Sequence, residues 1–362
     1  MLRGDAAGRT RGIGLAFAFI IGLAAASLVM LGNPGNMGLC GACFVRDVAG
    51  SLGLHQGPTV FRPEVAGVVL GAFLFSLVTR RGIGRAGGYA AARFMLCVFV
   101  AIGAMVFLGC PFRLLQRLGG GDPTAWLALP GFVGGVGIGM LFERRGYSIG
   151  KTSPAPFAVG LLGPGTAIGA VVLFGVGRLA GPGPGDGSGP AHAPWLAALA
   201  ISLGVGALLS ATGFCAISAA RQVFRGPRWM LLGAAAIVAG YAALTAFPGG
   251  PSFGARPIAH GDWLWNMLGI GLAGLGGVLA GGCPVRQLVM AGEGNADAAV
   301  GVAGLAAGGA LAHTLGLAAK AASATDPGGT TPAGRMAVVV GFVVALVYAF
   351  GVVRGRPPAT AS

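Results

Sequence analysis

The sequence predicts an all-α polytopic membrane protein made of two inverted repeats of about five transmembrane helices each, with short re-entrant half-helices that carry cysteines. Three observations lead there. Of 362 residues, 55% are hydrophobic and only 9% charged, with a mean hydropathy of +0.80, whereas soluble domains carry about 25% charged residues. Apolar runs of about 20 residues, the length that crosses a bilayer as a helix, recur along the whole chain. Finally, one motif is written twice: Gly109-Cys110-Pro111-Phe112-Arg113 returns as Gly282-Cys283-Pro284-Val285-Arg286, and Gly38-Leu39-Cys40 with Arg46 returns as Gly213-Phe214-Cys215 with Arg221. A long internal period in so apolar a chain marks a duplicated membrane unit.

Composition also narrows the function. The net charge of +14 could suggest nucleic acid, but the arginines are scattered between apolar runs rather than gathered on a soluble face. Membrane lipid and a small anionic substrate are the expected partners, and nucleic acid is not. Glycine, at 71 residues, suits close helix approach in a membrane. Six cysteines in an apolar chain of this length do not make a disulfide framework. No cofactor and no metal are expected.

Taken in order, Arg3, Arg9 and Arg11 precede a first span over Gly12 to Gly32 and hold the N-terminus in the cytoplasm. The stretch from Asn33 to Phe44 is too short and too broken to span, so it is expected to be re-entrant. Spans near Glu64 to Thr79, Tyr89 to Gly109, Thr124 to Phe142 and Pro156 to Leu179 complete the first repeat, residues 1–180. The last contains Gly163-Pro164-Gly165, which can stop it from crossing. Residues 181–193 read as a Gly/Pro-rich linker. The second repeat, residues 194–362, has spans near Trp195 to Thr212, Trp229 to Phe247, Trp263 to Gly282, Ala296 to Leu317 and Met336 to Val353. Five spans per repeat make the second copy enter the membrane from the opposite side. With both termini cytoplasmic, Arg80, Arg81, Arg85, Arg144, Arg145, Lys151, Arg221, Arg225, Arg228, Arg286, Arg354 and Arg356 join Arg3, Arg9 and Arg11 inside. A smaller set, Arg46, Arg62, Arg113, Arg117, Arg178, Arg256, Lys320 and Arg335, falls outside, which is the bias that positive-inside topology requires.

The repeated motifs carry the chemistry. Pro111 and Pro284 suit the first position of a helix, where a missing N–H costs nothing, and this makes Cys110 and Cys283 the capping residues. Four unpaired N–H groups and the positive dipole end then point where the thiol points, which is an anion site. Arg113 and Arg286, three residues in, add full charges. Burying each costs roughly 2.5–3.5 kcal/mol on insertion scales, so they are functional candidates. In the inverted arrangement Cys40 and Cys110 approach from outside and Cys215 and Cys283 from the cytoplasm, the thiols forming one file, and Arg46 joins Arg113 at the outer opening. Cys97, in an apolar span without a repeat mate, reads as a small hydrophobe. Cys40 and Cys43 have CxxC spacing, but Ser218 replaces the second cysteine in the other repeat, so zinc is not expected. His55 and His313 read as isolated structural histidines. No histidine or carboxylate lies close in sequence to a repeated cysteine to act as a base, so no catalytic residue is assigned. The enzyme alternative is a membrane sulphur- or selenotransferase with a covalent cysteine intermediate.

The run from Asn33 through Cys40 and Cys43 to Asp47, with His55, Arg62-Pro63-Glu64, Leu108 to Arg113 and Gly120-Gly121-Asp122, resembles the YeeE/YedE sulphur transport family. The resemblance covers nearly the whole chain and is closest to the branch described as selenium transporters. It implies a bacterial inner-membrane protein that takes up thiosulfate or a related sulphur or selenium anion through a cysteine-lined constriction. Transient S–H contacts would pass the anion along Cys40, Cys110 and Cys283, with Cys215 added from the internal repeat. It also implies a small TusA-like sulphur-carrier protein as a cytoplasmic partner.

Overall fold

A computed structural model describes residues 2–57, 60–179 and 191–355, with side chains from Gly12 onward. The side chains of Arg3, Arg9, Arg11 and Arg356, and most of the expected linker (181–190), lie outside the described residues. The protein is mostly helical. In chain order the helices are α1 (Leu2–Met30), α2 (Gly41–Ser51), α3 (Pro63–Val78), α4 (Ala90–Phe107), α5 (Pro111–Gly119), α6 (Pro123–Arg144), α7 (Phe157–Gly160), α8 (Leu162–Gly175), α9 (Trp195–Thr212), α10 (Ala216–Phe224), α11 (Trp229–Ala243), α12 (Trp263–Leu279), α13 (Pro284–Gly292), α14 (Ala296–Thr314) and α15 (Pro332–Arg354). A single pair of two-residue strands, Arg85–Ala86 and Ser153–Pro154, is the extended structure among the described residues.

Among the described residues eight helical stretches are long and apolar enough to cross a membrane, so this is a multi-pass membrane protein. Two of the expected spans come out shorter. α3 has 16 residues and α8 has 14, and at about 1.5 Å per residue α8 is well short of a hydrocarbon core about 30 Å thick. The region from Pro156 is interrupted at Leu161, where α7 gives way to α8, with Pro164 in the first turn of α8 because proline is tolerated there and not further in.

The long helices stop at the repeated motifs for a local reason. Leu108, Gly213 and Gly281 take positive φ (58°, 62° and 82°) at the ends of α4, α9 and α12. Left-handed backbone ends a helix, and glycine enters it without the steric cost of a side chain. Leu108 holds the position that Gly281 holds in the second motif, so the first break is made against local preference and depends on its surroundings.

Packing joins the two halves of the chain. The most extensive contacts are α3 with α9, α1 with α11, α6 with α12 and α4 with α14, and α4 and α12 meet each other in the middle. The order of the repeated motifs matches α1 to α9, α3 to α11, α4 to α12 and α6 to α14. Each pairing across the halves is therefore accompanied by the pairing in which the two copies have changed places. These contacts are backbone to backbone: a Cβ on Gly71 would collide with the Leu203 carbonyl and one on Gly206 with the Val68 carbonyl. Small residues allow that approach where no hydrophobic force drives helices together.

Gly71→Ala should therefore lower stability by about 1–3 kcal/mol through overpacking, read as earlier thermal unfolding in detergent. Gly204→Ala, on a helix surface with nothing within 4 Å of the new Cβ, should leave unfolding unchanged or slightly later. Equal melting of the two variants would refute the close α3–α9 approach.

Candidate functional site

Four short helices, α2, α5, α10 and α13, are each capped at the N-terminus by one of the repeated cysteines: Cys40, Cys110, Cys215 and Cys283. All four caps have extended backbone, and none of the helices has an acidic residue in its first turn. Pro111 and Pro284 occupy the first helical positions of α5 and α13, as their fixed φ and missing N–H favour. The helix starts converge. A Cβ on Gly41 of α2 would press on Pro284 and the Val285 nitrogen of α13. The ring of Phe112 in α5 meets that of Phe214, next to Cys215, edge to face at 6.3 Å.

The thiols meet in pairs. Cys40 lies beside Cys110, and Cys215 beside Cys283, with Cys110 also within electrostatic reach of Cys283. Cys40 Sγ accepts from the Cys43 N–H at 3.4 Å, and the Cys283 N–H donates to Cys215 Sγ at 3.4 Å. The amides of Ala42, Phe112 and Arg113 face the Cys110 sulphur without closing a cap hydrogen bond of ordinary geometry. All four thiols are buried, Cys110 completely. Each helix start carries the equivalent of about half a positive charge. Four of them around one set of soft sulphur atoms make a field that favours an anion over any cation.

The two approaches to this centre differ. On the Cys215 side a cavity of about 340 Å³ reaches the thiol and is lined by Glu143, Tyr147, Ser218, Arg221 and Arg286 among others. A neighbouring cavity of about 400 Å³ is lined by Arg81, Arg85, Ser210, Arg286 and Glu293. Arg286 thus lines both, paired with Glu293 at 3.1 Å, and Arg221 is held by Glu143 at 2.7 Å. These are half-exposed pairs at the mouth of a polar vestibule.

On the Cys40 side the arginines are locked. Arg113 has no solvent exposure, and its guanidinium donates to the carbonyls of Gly35, Asn36, Leu108, Pro257 and Ile258. The expectation that Arg113 faces an open anion path is corrected here. The reason lies in α4, which ends inside the protein and leaves carbonyls that need donors. Arg113 serves Leu108, Arg117 serves Phe107 at 3.0 Å, His260 serves Val106 at 2.8 Å and the Ala319 N–H serves Met105 at 3.2 Å. Arg117 is itself neutralised by Asp122 at 2.8 Å. Arg46, the other residue expected at an outer opening, is also buried. It pairs with Asp47 at 2.7 Å and contacts His313 Nε2 at 2.8 Å, while Arg62 takes the other Asp47 oxygen at 2.7 Å.

The sequence reading missed several members of this neighbourhood. His313 is not isolated, since it stacks on His55 at 5.0 Å and touches Arg46. Glu143 and Tyr147 come from the end of α6 and the turn after it, far in sequence from any repeated cysteine. Glu64 was noted only as part of a motif, yet it borders a small pocket with Cys40. An acidic residue in a stretch this apolar was the one signal available for it. No family model matches the chain, and no curated protein matches it.

Removing Arg113 should act first on folding. Arg113→Gln strands buried carbonyls at about 1–3 kcal/mol for each one left unpaired, so detergent-solubilised protein should melt earlier and insert in lower yield. Arg286→Gln, at a partly buried ion pair that borders two cavities, leaves no set of buried carbonyls bare and should cost less stability than Arg113→Gln. Comparable melting of both variants would refute the structural role assigned to Arg113.

Proposed function

We propose that the protein is a transporter for a small sulphur- or selenium-containing anion, which crosses through the cysteine-lined constriction formed by Cys40, Cys110, Cys283 and Cys215. One observation carries this reading: four helix N-termini, each with a cysteine at its cap and none with an acidic residue in its first turn, converge at the buried centre of a membrane protein. Helix ends replace the water that an anion loses on entering. A thiol is a weak donor that suits a soft sulphur or selenium atom, and weak binding lets the ion leave, which conduction requires. Arg286 and Arg221 draw the anion into the vestibule on the Cys215 side. The resemblance of the cysteine motifs to those of the YeeE/YedE family points the same way, and thiosulfate is the first substrate to try.

In this reading the halves are inverted repeats, α2, α5, α10 and α13 are re-entrant, and the protein sits in a bacterial inner membrane with both termini in the cytoplasm. The exchange of packing partners between the halves supports a two-fold relation between them, and an odd number of spans per half would make that relation an inversion. The gathering of Arg81, Arg85, Arg221 and Arg286 around the two neighbouring cavities supports a cytoplasmic vestibule. That vestibule is also where a TusA-like carrier protein would receive the cargo.

Vesicles reconstituted with the protein should accumulate thiosulfate or selenite in preference to sulfate, which has no soft atom for a thiol to touch. Cys110→Ala and Cys283→Ala should each abolish uptake while the protein inserts and melts normally. Normal uptake by either variant removes that cysteine from the path, and a covalent adduct on wild-type protein by intact mass after substrate exposure would favour a transferase instead. For topology, single cysteines placed at exposed Gly82 and Ser252, in equivalent loops of the two halves, should label from opposite sides of the membrane. Labelling from one side would refute the inversion.

A further inference from the structure

Glu64 stands in the first turn of α3 and is only 2% exposed. Its Oε1 accepts from Asn33 Nδ2 at 2.6 Å. Asn33 is fixed in turn, since the same nitrogen donates to the Gly38 carbonyl at 3.0 Å and its Oδ1 accepts from the Ala193 N–H at 2.8 Å. Glu64 Oε2, by contrast, is buried without any partner. It belongs to a pocket of about 10 Å³ whose other walls include Leu39, Cys40, Gly41 and Phe44. A volume of about 10–15 Å³ of this kind holds one water molecule. Glu64 and Cys40, whose thiol lies beside that of Cys110, therefore line one small pocket.

The surroundings leave this carboxyl between two charge states. From α9 and α13 the pocket receives only Leu209, Val285 and Leu288, and from α3 itself Val65 and Val68, which give an ionised oxygen nothing to bind. The charged groups acting on it are Arg62, just before α3, and Asp47 on α2. Asp47 is shared by Arg46 and Arg62. Apolar burial favours the acid and the nearby Arg62 favours the carboxylate, and such opposition lets a group change state when a further charge arrives. An anion in contact with Cys40 is such a charge, and in the low-dielectric interior it acts strongly over a few ångströms.

We propose that Glu64 is a proton-binding site coupled to the cysteine constriction, taking up a proton when an anion occupies it and releasing the proton when the anion leaves. The coupling rests on the anion-transport reading above; the proton site does not. Linkage makes the effect reciprocal: if the anion favours the protonated carboxyl, protonation favours the anion by the same factor. The protein would then move a proton with its anion, and lower pH would tighten anion binding.

Two measurements on the full-length protein test this. Dicyclohexylcarbodiimide, which attacks protonated carboxyls in apolar surroundings, should leave a mass adduct on the peptide containing Glu64, more strongly as pH falls. Absence of that adduct at every pH from folded protein overturns the proton site. Thiosulfate binding should tighten with falling pH, by up to about tenfold per pH unit for one linked proton. In Glu64→Gln, which keeps an oxygen for Asn33, the slope should vanish and the affinity should stay at the wild-type low-pH value. An unchanged slope in a Glu64→Gln protein that melts like wild type overturns the coupling. An adduct on Glu64 in a protein that binds no thiosulfate at any pH would overturn the substrate reading and leave the proton site standing.

Discussion

Everything in this molecule is arranged around a like-charge conflict: four positive helix ends meet, and none of the four helices carries an acidic residue in its first turn. In water such ends would be hydrated, and in a buried centre their N–H groups need an acceptor. The cysteine at each cap is a poor one. Sulphur accepts weakly, so the centre stays short of negative charge, and a helix capped by aspartate or serine in the same place would be satisfied and closed to an anion. Cysteine leaves the site assembled without a strong acceptor for its helix ends.

Making helices start in the middle of a membrane protein also makes other helices stop there, and the two halves handle the stops differently. α4 ends on two arginines, a histidine and a loop amide. α12 ends on neutral groups: Tyr147 donates to the Leu279 carbonyl at 2.9 Å and Gln287 to that of Ala280 at 3.1 Å. Because the second half spends no arginine on its helix end, Arg286 remains at the surface of the vestibule, while its motif mate Arg113 is enclosed. Equal positions in a duplicated motif have become a structural residue in one copy and a solvent-facing one in the other.

This division explains which features could be read from the sequence. The helices, their order and the cysteine caps follow from hydropathy, proline and glycine, all of which act locally, and Pro111 and Pro284 marked their helix starts without ambiguity. The fate of Arg113 was not legible, because it is decided by carbonyls near Gly35 and Pro257, at distant points of the chain that a motif does not mention. His313 escaped notice for the same reason, its partner Arg46 lying 267 residues away. Glu64 lies 24 residues beyond Cys40 in sequence, and only the fold of the Asn33 turn brings the two onto one pocket. The short α8 was foreshadowed by Gly163-Pro164-Gly165, where backbone preference outweighed hydropathy.

The enclosure of Arg113 has a consequence for rates. If the centre is ever to open toward the Cys40 side, the guanidinium must leave five carbonyls. Each group left bare in a dry interior costs about 1–3 kcal/mol. A simultaneous break would make a barrier too high for useful turnover, since every 1.4 kcal/mol or so slows a step about tenfold. Opening therefore has to be a stepwise exchange in which water, or the incoming anion itself, takes over each donor as a carbonyl lets go. The gate at that end would then be unlocked by the species it admits, and stay shut to an empty site.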